Sequence, residues 1–217
     1  MKKETRLRGA LVINTLLVVM EIVALGLSLV NQGMENFEFY TQDSNYFSMV
    51  VSLLFCIFAA KELRGEGKRP TWLHILRYVS VSCLMVTLFV VLFVLMPMMG
   101  DDAPKLLYEG SMLYQHTLCP ILAMISFFAF ETEEPLPRSV VGKALLPTVL
   151  YAVIAILLNL CRFMEGPYPF LMVYAQPWYW SVLWCVVILG IAAALAFAAL
   201  WIHNKVAGRM RSLKHAE

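Results

Sequence analysis

Six apolar runs, at about 9–30, 42–60, 71–97, 111–130, 144–161 and 178–203, fill most of the 217 residues and are separated only by short charged stretches. Each is close to the ~20 residues needed to cross the hydrocarbon core of a bilayer. The chain is 60% hydrophobic and 15% charged, with a mean hydropathy of +0.72, against roughly 25% charged residues in a soluble domain. These figures leave no room for a soluble domain. The expected fold is all-α: one six-helix transmembrane bundle covering 1–217. The first run is too long for a signal-peptide core and has no clear small-residue cleavage site, so it reads as the first membrane helix.

Charge sets the expected orientation. All 17 basic residues except Arg77, Lys105 and Arg162 fall before the first run, between the second and third, between the fourth and fifth, or in the tail. By the positive-inside rule, both termini face the cytoplasm and the loops at 31–41, 98–110 and 162–177 face outward, with the plasma membrane the expected location. The net charge of +2 mostly reflects this bias, and the basic tail suits anionic lipid rather than nucleic acid. Cys56, Cys83, Cys119, Cys161 and Cys185 lie in or beside apolar runs without metal-site spacing, and read as small packing residues.

Polar residues within such runs are the informative ones, since lipid offers them no partners. The segment "FEFYTQDSNYF" at 37–47 opens the second helix. At about 100° per residue, Thr41, Asn45, Ser48 and Ser52 fall within about 60° of one another, forming a polar seam that faces the bundle. Gln42 and Asp43 point elsewhere, towards water or headgroups. Small polar residues also allow close helix packing, and that reading suits Ser48 and Ser52. The first helix carries a second seam, in which Asn14, Glu21 and Ser28 recur every seventh residue. Glu21 falls near mid-membrane, where a carboxylate must be protonated or paired. It is a structural hydrogen-bonding group or a relay for protons or ions.

In the fourth helix, "YQHTLCPILAMISFFAFE", His116 lies one or two turns inside the outer surface, at a depth similar to Thr41. Pro120, four residues on, cannot donate the helical bond to the His116 carbonyl, and a kink there opens space beside the imidazole. His74, His203 and His215 fall near the cytoplasmic interface. Metal chemistry needs about three protein ligands, and His116 has no histidine company, so no metal or other cofactor is expected. A hydroxyl nucleophile with a histidine base needs only two residues, and Thr41 and His116 match in depth and side. Asn45, one turn below Thr41, is placed to donate to an oxyanion. Glu21, Asp43 and Glu109 are conceivable carboxylates for orienting His116. The expected pocket opens outward between the second and fourth helices.

Three segments resemble a known family: the aromatic-threonine entry "FEFYTQDSNYF", the "HTLCPIL" after Gln115, and the outer "YPFL" at 168–171. The chain looks like a bacterial-type relative of the androgen-induced and androgen-dependent membrane proteins, six-helix threonine hydrolases of fatty-acid esters of hydroxy fatty acids. The resemblance implies a threonine nucleophile at Thr41, a histidine base at His116, and a lipid ester as substrate. The "SN" at 44–45 departs from the animal enzymes. The outer loop "RFMEGPYPFLMVYAQPWYW" reads either as an aromatic interfacial belt or as an entry lip for an acyl chain, with Arg162 poised to meet a carboxylate or headgroup. The alternative is a small transporter with a polar path through Glu21, Asn45 and His116.

Overall fold

In the computed structural model, described over residues 3–214, six long helices occur and no strand. They are α1 (Lys3–Glu38, its last turns 3-10), α2 (Tyr40–Leu63), α3 (Thr71–Asp102), α4 (Leu113–Phe130), α5 (Val140–Leu160) and α6 (Trp178–Ser212). Each is long and apolar enough to cross a membrane. The molecule is an integral membrane protein built as an all-α six-helix bundle.

Burial identifies the central helix. In α3, 61% of the most apolar window is buried, against 22–39% in the other five. Around α3 the remaining helices turn Leu, Val and Ile outward, as Val12, Val19 and Ile22 do in α1 and Leu150, Ile154 and Leu157 in α5. Those faces suit lipid tails, which are as apolar as the side chains themselves. With little hydrophobic drive between helices in lipid, hydrogen bonds from small polar residues tie the helices together. Ser44 and Thr87 join α2 to α3 at 2.7 Å, Tyr40 and Thr148 join α2 to α5 at 2.9 Å, and the Tyr78 hydroxyl donates to the Ala196 carbonyl of α6 at 2.8 Å.

At the end of the bundle that carries the termini, a buried ion pair collects four helices. Arg77 of α3 donates twice to Glu131, just past α4, at 2.8 and 2.9 Å, and once to Ser52 of α2 at 2.9 Å. Ser126 donates to Glu131 at 2.7 Å, and Asn14 of α1 donates to Ser126 at 2.8 Å. Burial alone would raise the Glu131 carboxyl, but the Arg77 guanidinium beside it and the hydrogen bonds from Arg77 and Ser126 hold it below its ordinary value. The partner of Arg77 is therefore Glu131.

Two histidines depart from expectation at this end. His203 is fully buried and stacks on Phe127, and its Nε2 lies 3.2 Å from Nε2 of His74, which is itself only partly exposed. These rings fill the packed interior between α3, α4 and α6 instead of sitting at the interface. His215 lies outside the described residues.

Candidate functional site

The opposite end of the bundle holds the seam. α2 starts at Tyr40, after an extended Phe39, so the first amides of the helix have no partner within it. The Thr41 amide donates instead to the phenol oxygen of Tyr168, at 3.1 Å, and the same phenol donates to Thr41 Oγ1 at 3.4 Å. Tyr168 belongs to the α5–α6 loop and is 5% exposed, its ring stacked on Phe170 at 5.1 Å. Burial first, and the nearby Asp43 charge in the same direction, push the phenol up to about 12, so it keeps its proton as a donor.

α4 is locally widened. Its first turns, Leu113–Leu118, are π-helical, and the Cys119 amide reaches back five residues to the Tyr114 carbonyl. Pro120 explains this: without an N–H it cannot close the ordinary turn to His116, and the preceding turn takes up the slack. The sequence predicted the discontinuity as a kink, and it takes the form of a bulge. Within it, His116 Nδ1 lies 2.8 Å from the Leu106 carbonyl. A carbonyl only accepts, so Nδ1 carries the proton and Nε2 presents a lone pair. Nε2 is buried and has no hydrogen-bond partner. Thr117 ties the same loop at 2.9 Å, through the Leu107 carbonyl.

Asn45 connects the two halves. Its side-chain amide donates to the Thr41 carbonyl at 2.6 Å and to the Gln115 carbonyl at 2.9 Å. The residue before His116 is therefore pinned to the turn that carries Thr41, bringing both candidates to one corner of the bundle. They are not hydrogen-bonded to each other: the Thr41 hydroxyl is met by Tyr168, and His116 by Leu106. Both amide hydrogens of Asn45 are spent on backbone carbonyls, which leaves none for an oxyanion. Its place in the site is structural, as a clamp between α2 and α4.

The other predicted residues are dispersed. Ser48 is fully buried, its hydroxyl without a partner. Glu21 is fully buried with the Cys119 thiol alongside, yet neither carboxyl oxygen has a hydrogen-bonding partner. Neither Glu21, Asp43 nor Glu109 orients His116, since a backbone carbonyl does that work. Arg162 is exposed on a left-handed backbone (φ 60°), its guanidinium over the Tyr174 ring at 4.8 Å and away from Thr41's partners.

Three expectations need correction. Gln42 does not face water but is 3% exposed, packed into the bundle. The outer aromatics divide: Trp178, Tyr179 and Trp180 are exposed as a belt, whereas Tyr168 and Phe170 are buried. The cavity that reaches towards Thr41 does not lie between α2 and α4, where the Asn45 clamp closes the seam. It is a space of about 460 Å³ between α2, α3 and α5, with Tyr40, Asp43, Phe47 and Tyr151 in its wall. Thr41 lines a narrower apolar slot of about 50 Å³ beside it, with Val86, Val90, Tyr168 and Trp184, and the two spaces share Tyr40 and Tyr151.

Tyr168 and Gln115 are site residues to which the sequence assigned no role, although Tyr168 opens the "YPFL" segment that carries the resemblance. Gln115 is fully buried, accepts from Ser28 at 3.2 Å and donates to the Tyr46 hydroxyl at 3.3 Å. A glutamine inside an apolar run was the available signal for the one. For the other, a tyrosine in a loop, no periodicity exists to mark it.

Fold and site together define a six-helix integral membrane protein with a buried threonine–tyrosine pair and a buried histidine at one end of the bundle. No protein-family model matches the chain, and no curated protein or solved structure matches it.

Proposed function

We propose that this protein is an integral-membrane hydrolase of lipid esters, in the manner of the androgen-induced and androgen-dependent membrane hydrolases its motifs resemble. Thr41 is the nucleophile and His116 the base. The observation that carries the reading is His116 Nε2, a buried lone pair with no hydrogen-bond partner. An orphaned buried acceptor costs about 1–3 kcal/mol, and a group so placed calls for a purpose.

The chemistry follows from the groups at hand. Thr41 Oγ1 attacks the ester carbonyl while its proton passes to His116 Nε2, and the tetrahedral oxyanion accepts from the Tyr168 phenol. Collapse breaks the bond to the leaving oxygen, which takes the proton from Nε2 and departs as the alcohol. Water then attacks the acyl-threonine, giving its proton to Nε2. The second collapse releases the fatty acid and returns the proton to Thr41. The resting bonds of Thr41 and His116 require substrate to draw the two together, as catalytic hydrogen bonds tighten in the substrate complex. A volume of about 460 Å³ lies within the range of small-molecule sites, so the larger cavity takes the body of the substrate. The ester then reaches Thr41 past Tyr40. In this reading the site opens outward from the plasma membrane, and both termini are cytoplasmic.

The test is labelling of the purified protein with a fluorophosphonate or activated-ester probe, with mapping of the adduct. An adduct on Thr41 that is lost in Thr41→Ala and strongly reduced in His116→Ala is expected. No adduct and no hydrolysis of any lipid ester would end the proposal.

A second reading, transport along Glu21, Asn45 and His116, rests on the unpartnered Glu21 carboxyl, for which the hydrolase has no use. Proteoliposome flux that disappears in Glu21→Gln but survives Thr41→Ala would favour it.

A further inference from the structure

The cavity of about 460 Å³ beside Thr41 has an unusual wall. Five aromatic rings line it: Phe37, Tyr40, Phe47, Tyr151 and Phe163. Two carboxylates, Glu38 and Asp43, line it too, and no lysine, arginine or histidine does. Among the described residues neither carboxylate has an ion-pair partner. Tyr151 does bond to residue 38, but through the backbone carbonyl, at 2.7 Å, which leaves the Glu38 side chain free. Several acidic side chains elsewhere do find cationic partners: Glu62 and Glu133 pair with Arg69, Glu131 with Arg77, and Asp102 with Lys105.

We propose that this cavity binds an organic ammonium group, held by the Asp43 and Glu38 carboxylates and by the faces of the surrounding rings. The charge calls for a cation, because two unpaired carboxylates in a concave, ring-walled space focus a negative potential. The rings decide which kind. Aromatic faces attract weakly hydrated ammonium ions and are the usual enclosure for quaternary ones, whereas a hard metal ion wants a shell of oxygen ligands. No group of three metal-binding side chains occurs among the described residues.

The setting favours an ammonium carried by a lipid. Glu38 ends the first span and Asp43 lies in the first turn of the second, at interfacial depth. The neighbouring space shares Phe163 and Met164 with the cavity and contains Arg162, a cation suited to a phosphate. A zwitterionic headgroup would thus find a negative and a positive site side by side. This deepens the hydrolase reading and rests on it for the bond that reacts, because the shared wall at Tyr40 places the lipid's ester next to Thr41. The binding itself needs no reaction.

The experiment uses the full chain in uncharged maltoside micelles and compares spin-labelled lysophosphatidylcholine with lysophosphatidylglycerol. The choline lipid is expected to bind about tenfold tighter, corresponding to one or two cation–π and charge contacts. Asp43→Asn and Glu38→Gln should each reduce that preference several-fold. So should Phe163→Leu, which alters a ring 81% exposed and leaves the bundle's packing untouched. Thr41→Ala should keep it. Free tetramethylammonium should compete, and Arg162→Ala should weaken the lysolipid but not tetramethylammonium. Loss of neither in Arg162→Ala would place the ammonium on a free small amine, which still supports the cavity's chemistry, whereas equal loss of both would count against it. Equal affinity for choline and glycerol headgroups, or a preference indifferent to all three cavity variants, overturns the inference. Preference without hydrolysis of any ester sinks the enzyme and keeps the site, and hydrolysis without preference does the reverse.

Discussion

At the scale of single residues, Tyr168 carries the sharpest consequence. Its phenol touches both the amide and the hydroxyl of Thr41, so Tyr168→Phe removes one donor while the ring stays stacked on Phe170. Loss of one such donor typically costs on the order of 10²-fold in rate, against about 1 kcal/mol of stability for the orphaned amide. Acylation of Thr41 by an activated ester should therefore slow by about that factor, with little change in the thermal unfolding midpoint. An unchanged rate would remove Tyr168 from the chemistry. The pH dependence has a definite sign. The phenol is pushed up to about 12, so its donor is fully present below that value and is lost only as pH rises through it. Labelling rates should show no alkaline fall in the range of an ordinary phenol. Thr41 itself was legible in sequence because it heads a seam of helical period. The contact of Tyr168 with it was not, although the "YPFL" segment marked the residue, because a loop residue reaches its partner through tertiary packing, which leaves no period to read.

At the scale of elements, two devices hold the site. One is the α5–α6 loop. An added Cβ on Gly166 would sit 2.5 Å from the backbone of Leu171, far inside van der Waals contact. Gly166→Ala should displace the turn that presents Tyr168 and Phe170, lowering labelling of Thr41 while the helices persist by circular dichroism. Wild-type labelling in that variant would show that the loop does not position the site. The other device is the Arg77–Glu131 pair. Breaking a buried pair by removing one partner costs about 3–5 kcal/mol, whereas replacing both with apolar residues is often neutral. Glu131→Leu alone should thus destabilise strongly, and Arg77→Met with Glu131→Leu should recover much of the loss in thermal unfolding. Because the folded carboxyl is held below its ordinary value, its contribution is complete above that ordinary value and falls away as acid titrates it. The sequence exposed the helices clearly, since six apolar runs can do little else in lipid. It did not show which charge pairs with which. Glu131 stands at the edge of its run and looks like an interfacial acid, and only the crossing of α3 by α4 buries it.

At the scale of the whole molecule, the bundle's two ends differ in chemistry, and that difference makes orientation testable. The end with the termini holds the ion pairs of Lys3, Glu62, Arg69 and Glu133 and most of the chain's lysines and arginines, a bias from which the positive-inside rule predicts a cytoplasmic face. The other end holds Thr41, His116 and the aromatic cavity, with the exposed Trp178 and Tyr179 at its rim. Helix count and apolar faces follow from sequence alone, but a symmetric slab of lipid does not favour either way up. The bias comes from loop charge, and it predicts that the site opens outward. Single cysteines should be introduced at Lys105 and at Arg64, both on exposed connections, in a background from which the exposed Cys161 has been removed. In intact cells, a membrane-impermeant maleimide should label the Lys105→Cys variant at once and the Arg64→Cys variant only after the membrane is opened. The reverse order would turn the site to the cytoplasm. On the hydrolase reading, water and substrate would then come from the cytoplasmic side of the membrane.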